Sequence, residues 1–154
     1  MERTTLAYLR QNDQYLMMHR TKKIDDINSG KWLGVGGHFE GDETPEQCVR
    51  REILEETGLI AKKLTFCGEV FFDSDTYPQE TMYLFVCDDF SGELVDNCNE
   101  GQLKWVDQNL LSSLPMWEGD KVFLDLIFQG KIGFCLHLKY KGDRLVGYEV
   151  DNLK

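Results

Sequence analysis

The sequence predicts an α+β fold: a mixed β-sheet flanked by helices, with a C-terminal helix and β-hairpin. Three observations carry this. Runs rich in β-branched and aromatic residues recur along the chain, most clearly LTFCGEVFFD (64–73) and TMYLFVC (81–87). Segment 45–57 carries matched helix start and stop signals. The chain has 154 residues, 42% of them hydrophobic and 12% aromatic, which is enough for a real core and suits one domain over 1–154. No internal repeat, low-complexity tract or Pro/Ser linker divides it.

Each element follows from local chemistry. TTLAYLR (4–10) and YLMMHR (15–20) read as strands joined by a turn at Asn12-Asp13. The polar stretch Ile24 to Gly30 reads as a loop, and WLGVGG (32–37) ends in a glycine pair that leads into another. In the helix 45–57, Thr44 suits the N-cap, Pro45 the first helical position, and Thr44-x-x-Gln47 fits a capping box. Gly58 stands where a left-handed C-terminal cap belongs, and Val49 and Ile53 offer an apolar flank to a sheet. LKWV (103–106) reads as a short strand and Gln108 to Leu114 as a short helix. Asp120 to Phe128 has apolar residues at 122, 123, 124, 126 and 127, the pattern of a helix, ended by Gly130. IGFCLHLKY and RLVGYEV flank Lys141-Gly142-Asp143 as a terminal hairpin. Trp32, Tyr83 and Trp105 are expected to pack the core.

Composition narrows the function classes. With 17 Lys+Arg against 27 Asp+Glu, the formal charge is −10, which disfavours a nucleic-acid polymer as partner. The longest apolar runs fall well short of the ~20 residues that span a bilayer. No signal-peptide-like stretch opens the chain, so no membrane association or export is expected. Cys48, Cys67, Cys87, Cys98 and Cys135 show no CxxC spacing and read as reduced thiols, which fits a cytoplasmic protein. His19, His38 and His137 lack metal-ligand spacing and read as structural or exposed, although His38 sits close to the glycine pair. Lys22, Lys23 and Lys31 flank the loop before that pair and either steer a phosphate group or are simply solvated.

The chemistry concentrates on helix 45–57. Glu52, Glu55 and Glu56 fall at i, i+3 and i+4 and share one face. At about 6 Å and an effective dielectric of about 20, each like-charged pair costs about 2.8 kcal/mol. A divalent cation removes that cost, and an all-oxygen ligand set points to Mg²⁺, with Mn²⁺ able to substitute. The alternative is a solvated acidic face with an Arg51–Glu55 pair. Arg51, always charged, suits holding a glutamate by a forked hydrogen bond.

The cluster belongs to a longer pattern. Gly37, five residues, Glu43, seven residues, then Arg51-Glu52-Ile53-x-Glu55-Glu56-x-Gly58-Leu59 resembles the Nudix box at every specified position. A chance match in a chain of average composition is about one in ten million. The resemblance implies an α/β/α sandwich with the box helix on one side of the sheet and the 120–129 helix on the other. It also implies metal-dependent hydrolysis of a nucleoside diphosphate linked to another group. By the same resemblance, Glu55 and Glu56 are the main metal ligands, and Glu52 ligates metal or deprotonates water. The carbonyl of Gly37 adds an oxygen, and Glu43, Arg51 and Gly58 hold the loop and helix. Glu100 is similar to a glutamate outside the box that completes the metal site in MutT-like enzymes; otherwise it is a surface loop residue.

The run MWEGDKVFLDLIFQGKIGF resembles the 8-oxo-dGTP diphosphatase branch. That resemblance implies Trp117 stacking on a purine, Asp120 bonding its edge and Phe72 facing the base from another side. Trp117 could equally be core, and Asp120 only a helix-start acid, favourable by about 0.3–1 kcal/mol. Two positions depart from the branch: Leu33 replaces an asparagine, and Glu118-Gly119-Asp120 replaces two adjacent acids after the tryptophan. The expected function is hydrolysis of a nucleoside triphosphate to monophosphate and pyrophosphate by a monomer or homodimer. An oxidised purine such as 8-oxo-dGTP is the leading substrate. ADP-ribose, a dinucleoside polyphosphate or a pterin triphosphate are alternative substrates, and a non-catalytic nucleotide sensor or a related isomerase are the remaining alternatives.

Overall fold

The computed structural model describes residues 1–21, 26–95 and 100–152. Lys22, Lys23 and Cys98 lie outside the described residues. Strand β1 (Glu2–Gln11) turns into β2 (Gln14–Arg20) through Asn12 and Asp13, whose φ of 50° and 62° place them in the left-handed region that Asn and Asp tolerate. Then follow β3 (Trp32–Leu33), helix α1 (Pro45–Thr57), β4 (Ile60–Ser74), β5 (Glu80–Ser91) and β6 (Gly101–Asp107). A 3₁₀ turn (Gln108–Ser113), helix α2 (Glu118–Phe128), β7 (Phe134–Lys141) and β8 (Arg144–Asn152) complete the chain.

The sheet is mixed. Its strand order is β3-β2-β1-β5-β4-β7-β8, with β6 also pairing with β2. β1 runs parallel to β5 and β4 parallel to β7; the other pairs are antiparallel. Side-chain alternation along β1 divides the interior in two. Leu6 and Tyr8 join a cluster with Phe123, Leu124, Leu126 and Ile127 of α2. Ala7 and Leu9 join a second cluster with Val49 and Ile53 of α1. The two helices therefore cover opposite faces, and the architecture is an α/β/α sandwich.

Helix α1 forms where its signals put it. The Thr44 side chain accepts from the Gln47 N–H at 3.2 Å, Gln47 Oε1 accepts from the Thr44 N–H at 2.9 Å, and Gly58 closes the helix at φ 77°. Helix α2 begins two residues earlier than the periodicity suggests. Trp117 is its N-cap and makes no side-chain cap bond, so no capping signal marks the start. The three residues expected to pack one core divide between the faces. Trp32 lies against the α2 side, where it stacks on His19 at 4.4 Å, while Tyr83 and Trp105 lie against the α1 side.

Candidate active site

The segment between β3 and α1 lies against β1. Ala7 and Val35 exchange backbone hydrogen bonds, and the Thr5 N–H donates to the Gly37 carbonyl at 2.9 Å. This approach needs glycine. A Cβ on Gly36 would sit 2.0 Å from the Thr5 carbonyl oxygen, and one on Gly37 would sit 2.7 Å from the Glu52 carboxyl carbon. The glycine pair thus brings bare backbone against the carboxylates of α1.

Those carboxylates occupy two environments. Glu56 turns inward and is 8% exposed. Its Oε1 accepts from the Gly36 N–H at 2.9 Å. Burial first, then the charges of Glu100 and Glu52, push its carboxyl well above the usual range, against the pull of that Gly36 bond. Glu55 points outward, and carboxylate oxygens of Glu40, Glu52 and Glu55 come within 4.8 Å of one another. Glu40 was not singled out in the sequence, because it falls at an unspecified position of the box.

Arg51 ties the loop to the helix. Its Nε and Nη2 donate to the two oxygens of Glu43 at 2.6 and 3.1 Å, a forked ion pair that holds the Glu43 carboxyl down at about 2. The same guanidinium reaches Glu40 at 3.1 Å, Glu52 at 2.8 Å, Glu55 at 3.0 Å and the His38 carbonyl at 3.1 Å. Glu43 in turn accepts from the Glu40 N–H at 2.8 Å. One cation therefore offsets four carboxylates, which leaves net negative charge at a set of hard oxygen donors. That donor set fits a divalent metal ion.

Glu100 sits just before β6 and interacts with Glu56. Its Oε2 accepts from Arg20 Nη1 at 3.3 Å, and Arg20 also pairs with Asp26 at 2.9 Å. Nothing local in the sequence marks the contact of Arg20 with Glu100, 80 positions away.

A cavity of about 400 Å³ joins these groups to residues of α2 and the neighbouring strands. Leu33, Gly37, Glu56, Phe72, Glu100, Trp117 and Asp120 all line it; Arg51, Glu52, Glu55, Glu43 and Gly58 do not. Trp117 donates its Nε1–H to Asn28 Oδ1 at 2.6 Å and meets the edges of Tyr77 and Tyr140 at 6.1 and 5.5 Å. The ammonium of Lys31 lies 4.4 Å from the centre of the Trp117 ring. Phe72 stacks on Tyr140 at 6.5 Å. Asp120 is 4% exposed, its Oδ2 has no hydrogen-bond partner among the described residues, and burial above all pushes it up to about 8. Gly119 donates its N–H to the Tyr140 hydroxyl at 2.7 Å, and a Cβ there would sit 2.6 Å from both that hydroxyl and Leu138 Cδ1. A second acid next to Asp120 would have to displace the Tyr140 hydroxyl and the Leu138 tip. Asn28, Tyr77, Glu80 and Tyr140 also line the cavity and carry no sequence signal of their own.

His38 is exposed beside the cavity, with Glu2 at 3.4 Å, and Cys48, Cys67, Cys87 and Cys135 are unpaired. Among the described residues no helix is long and apolar enough to cross a membrane.

The NUDIX domain model matches residues 2–127. A Nudix hydrolase of Bacillus subtilis, YvcI, is 32% identical over 135 residues, covering 85% of this chain and 82% of its own. The oxidized purine nucleoside triphosphate hydrolase of Danio rerio is 32% identical over 131 residues, covering 83% and 82%. The crystal structure of a MutT protein from Bacillus halodurans superposes with a TM-score of 0.88 at 25% identity, covering 98% of each chain. With its box intact and most of its length matched, the chain belongs to the Nudix family and is a hydrolase of the MutT-like branch.

Proposed function

We propose that this chain is a Mg²⁺-dependent nucleoside triphosphate pyrophosphohydrolase that releases nucleoside monophosphate and pyrophosphate, with oxidised purine nucleotides such as 8-oxo-dGTP as its substrates. One observation carries the reading. A single cavity is lined both by the acidic groups Glu56 and Glu100 and by the aromatic and acidic groups Trp117, Phe72 and Asp120. A triphosphate and a purine can therefore be held together. The relative named for oxidised purine nucleoside triphosphates supports the same choice.

In this reading Glu52, Glu55, Glu56, Glu100 and the Gly37 carbonyl hold the metal, which supplies positive charge to the phosphates in the transition state. The chain's own residues do the rest. Glu43 and Arg51 fix the loop on the helix. Gly36 orients Glu56 through its N–H. Trp117 and Phe72 confine the base, and Asp120, protonated at neutral pH, donates to a base acceptor. Leu33 adds apolar surface to the same wall, where a polar group would add a base contact.

The test is a substrate panel with Mg²⁺. It compares kcat/KM for 8-oxo-dGTP, dGTP, dATP and dCTP by pyrophosphate release, and for ADP-ribose and diadenosine polyphosphates by monophosphate release. A preference of about a hundredfold for 8-oxo-dGTP over dGTP is expected, the discrimination a well-placed polar contact can supply. A preference for ADP-ribose or a diadenosine polyphosphate would overturn the substrate assignment and leave the hydrolase intact.

A further inference from the structure

The outer end of the sheet carries a second group of metal-ligating side chains. Along β7, Phe134, Leu136, Leu138 and Tyr140 are buried in the cluster that α2 covers. Alternation turns Cys135, His137 and Lys139 to the opposite face. The cluster under α1 contains no residue of β7 or β8, so that face is uncovered at this end. Cys135-Leu136-His137 shows none of the spacings of loop- or helix-built metal sites, but on a strand residues two apart share a face. The Cys135 sulfur and His137 Nε2 lie 3.5 Å apart. A sulfur at about 2.3 Å and a nitrogen at about 2.0–2.1 Å from one tetrahedral ion stand about 3.6 Å from each other. The pair already has the spacing of two corners of such a site, and Phe71 packs against the imidazole at 5.6 Å.

The sheet surrounds this pair with carboxylates. Glu69 of β4 and Asp151 of β8 stand opposite Cys135, one on either side, and Glu149 stands opposite His137. Across the antiparallel β7–β8 pair, opposite Cβ atoms are about 4.5–5.5 Å apart, so Asp151 can reach an ion held at Cys135. Among the described residues no carboxylate oxygen lies within 4.8 Å of both the sulfur and the imidazole nitrogen. A third ligand therefore has to swing in by side-chain rotation, which the exposure of Asp151 permits. Burial, then the charges of Glu69 and Asp151, pushes the Cys135 thiol up. A reactive thiol needs positive neighbours, so these surroundings make Cys135 a poor nucleophile. They suit a cation instead. An ion that takes the thiolate also offsets the carboxylates, and the displaced thiol proton goes to solvent.

We infer that Cys135 and His137, completed by the carboxylates of Asp151 and Glu69, form a second metal site that takes a borderline-soft divalent ion of the Zn²⁺ class. Thiolate and imidazole discriminate against Mg²⁺, which suits the all-oxygen array on α1, so one chain sorts two kinds of ion. None of these residues lines the active-site cavity. The ion bridges three strands and clamps β8, which pairs with β7 alone and is exposed along almost its whole length.

The test is titration of the reduced protein with Co²⁺, a spectroscopic stand-in for Zn²⁺, in excess Mg²⁺. One equivalent should give a thiolate-to-cobalt charge-transfer band, which Zn²⁺, with its filled d shell, then removes. Cys135→Ser should abolish the band. His137→Ala should weaken Co²⁺ binding by more than about 100-fold, beyond the effect of residues that only orient ligands, and it decides the matter if the serine variant misfolds. Glu69→Gln combined with Asp151→Asn should weaken binding about tenfold or more. Zn²⁺ in excess Mg²⁺ should raise the Tm of the wild type but not of Cys135→Ser. Glu56→Gln should keep the whole band, which separates this site from the array on α1. A wild type without the band would reduce the 3.5 Å contact to a hydrogen bond and overturn the site. A band that survives Cys135→Ser, that disappears in Glu56→Gln, or that keeps its affinity in His137→Ala would place the ion elsewhere and overturn it equally.

Discussion

The loop and helix from Gly36 to Gly58 and the cavity wall around Trp117 are built by opposite strategies. The first is a continuous segment whose parts specify one another: glycines that nothing larger can replace, a capped helix, and one arginine clamped to the loop. The second is assembled from five separated stretches, with Leu33, Phe72, Glu80, Trp117 and Tyr140 meeting only because the sheet brings them together. The difference teaches where each kind of function is encoded. Machinery that must hold charge in a fixed array is written locally. A pocket that reads a base can be rewritten one wall residue at a time.

The sharpest way to break this contrast is Glu56→Gln. It keeps the shape and the Gly36 bond but has no proton to give up when a metal binds. A loss of at least about 100-fold in kcat is expected, beyond what changes to residues that only bond the metal's ligands produce. The fold should survive, because the native carboxyl is already held neutral by burial and by Glu100 and Glu52. A native pKa above the unfolded value means that the folded state binds the extra proton, so stability falls as pH rises. Metal replaces that proton. Mg²⁺ should therefore raise the wild-type Tm more at pH 8 than at pH 6, and this increment should vanish in Glu56→Gln. Near-wild-type turnover in the variant would remove Glu56 from the metal site.

Gly36→Ala attacks the same segment through its backbone. Its Cβ would meet the Thr5 carbonyl at 2.0 Å, so the loop must leave β1. A destabilisation of about 3 kcal/mol is expected, the upper range for overpacking, with activity lost together with stability. Denaturant unfolding checks it; a variant of unchanged stability would mean that the loop is not pinned there.

How much of this was legible follows from the contrast. The whole of α1, caps included, could be read from the sequence because each signal lies within four residues of its partner. Strands β4 and β5 were recognisable by composition, but β4 runs 60–74 rather than 64–73, since pairing to β5 and β7 extends it past its aromatic centre. The wall was legible only in Leu33, Phe72, Trp117 and Asp120, through a family resemblance. Asn28 bonding Trp117 across 89 positions and Glu80 lining the same cavity as Asp120 depend on tertiary contacts, which no local pattern announces. Trp32, Tyr83 and Trp105 looked like one core set, yet the sheet has two faces and the register decides which side each takes.

Asp120→Asn tests whether the wall carries its own electrostatic strain. Asp120 rises from an ordinary 3.8 to about 8, so the folded state holds a proton that the unfolded state has lost, and stability falls as pH rises between about 4 and 8. The asparagine variant should lose that slope and be the more stable protein at pH 8 by about 2 kcal/mol. Thermal unfolding from pH 5 to 9 reads it; parallel curves would place Asp120 in a wetter site. Trp117→Ala should act next in size, raising KM for a purine triphosphate about tenfold while kcat changes less, as loss of a stacking surface does. Trp117→Phe, which keeps a ring but loses the bond to Asn28, separates stacking from anchoring. A KM unchanged in both would make Trp117 a packing residue.

Thr44→Ala is the smallest change and the cleanest probe of the local strategy. It removes the hydroxyl that accepts from Gln47 and leaves the rest of the box untouched. A capping loss costs about 1 kcal/mol. If α1 were held only by its own signals, fraying its first turn would loosen Glu43 and release Arg51, and kcat would fall with stability. Arg51, however, grips Glu43 by two bonds and the His38 carbonyl by a third. Val49 and Ile53 are fully buried a turn or two further on. The loop and the core therefore both hold the helix after the cap is gone. Stability should drop by that ~1 kcal/mol while kcat and KM stay at wild-type values. A parallel fall in kcat would show that the cap, rather than the arginine clamp, keeps the carboxylates in array.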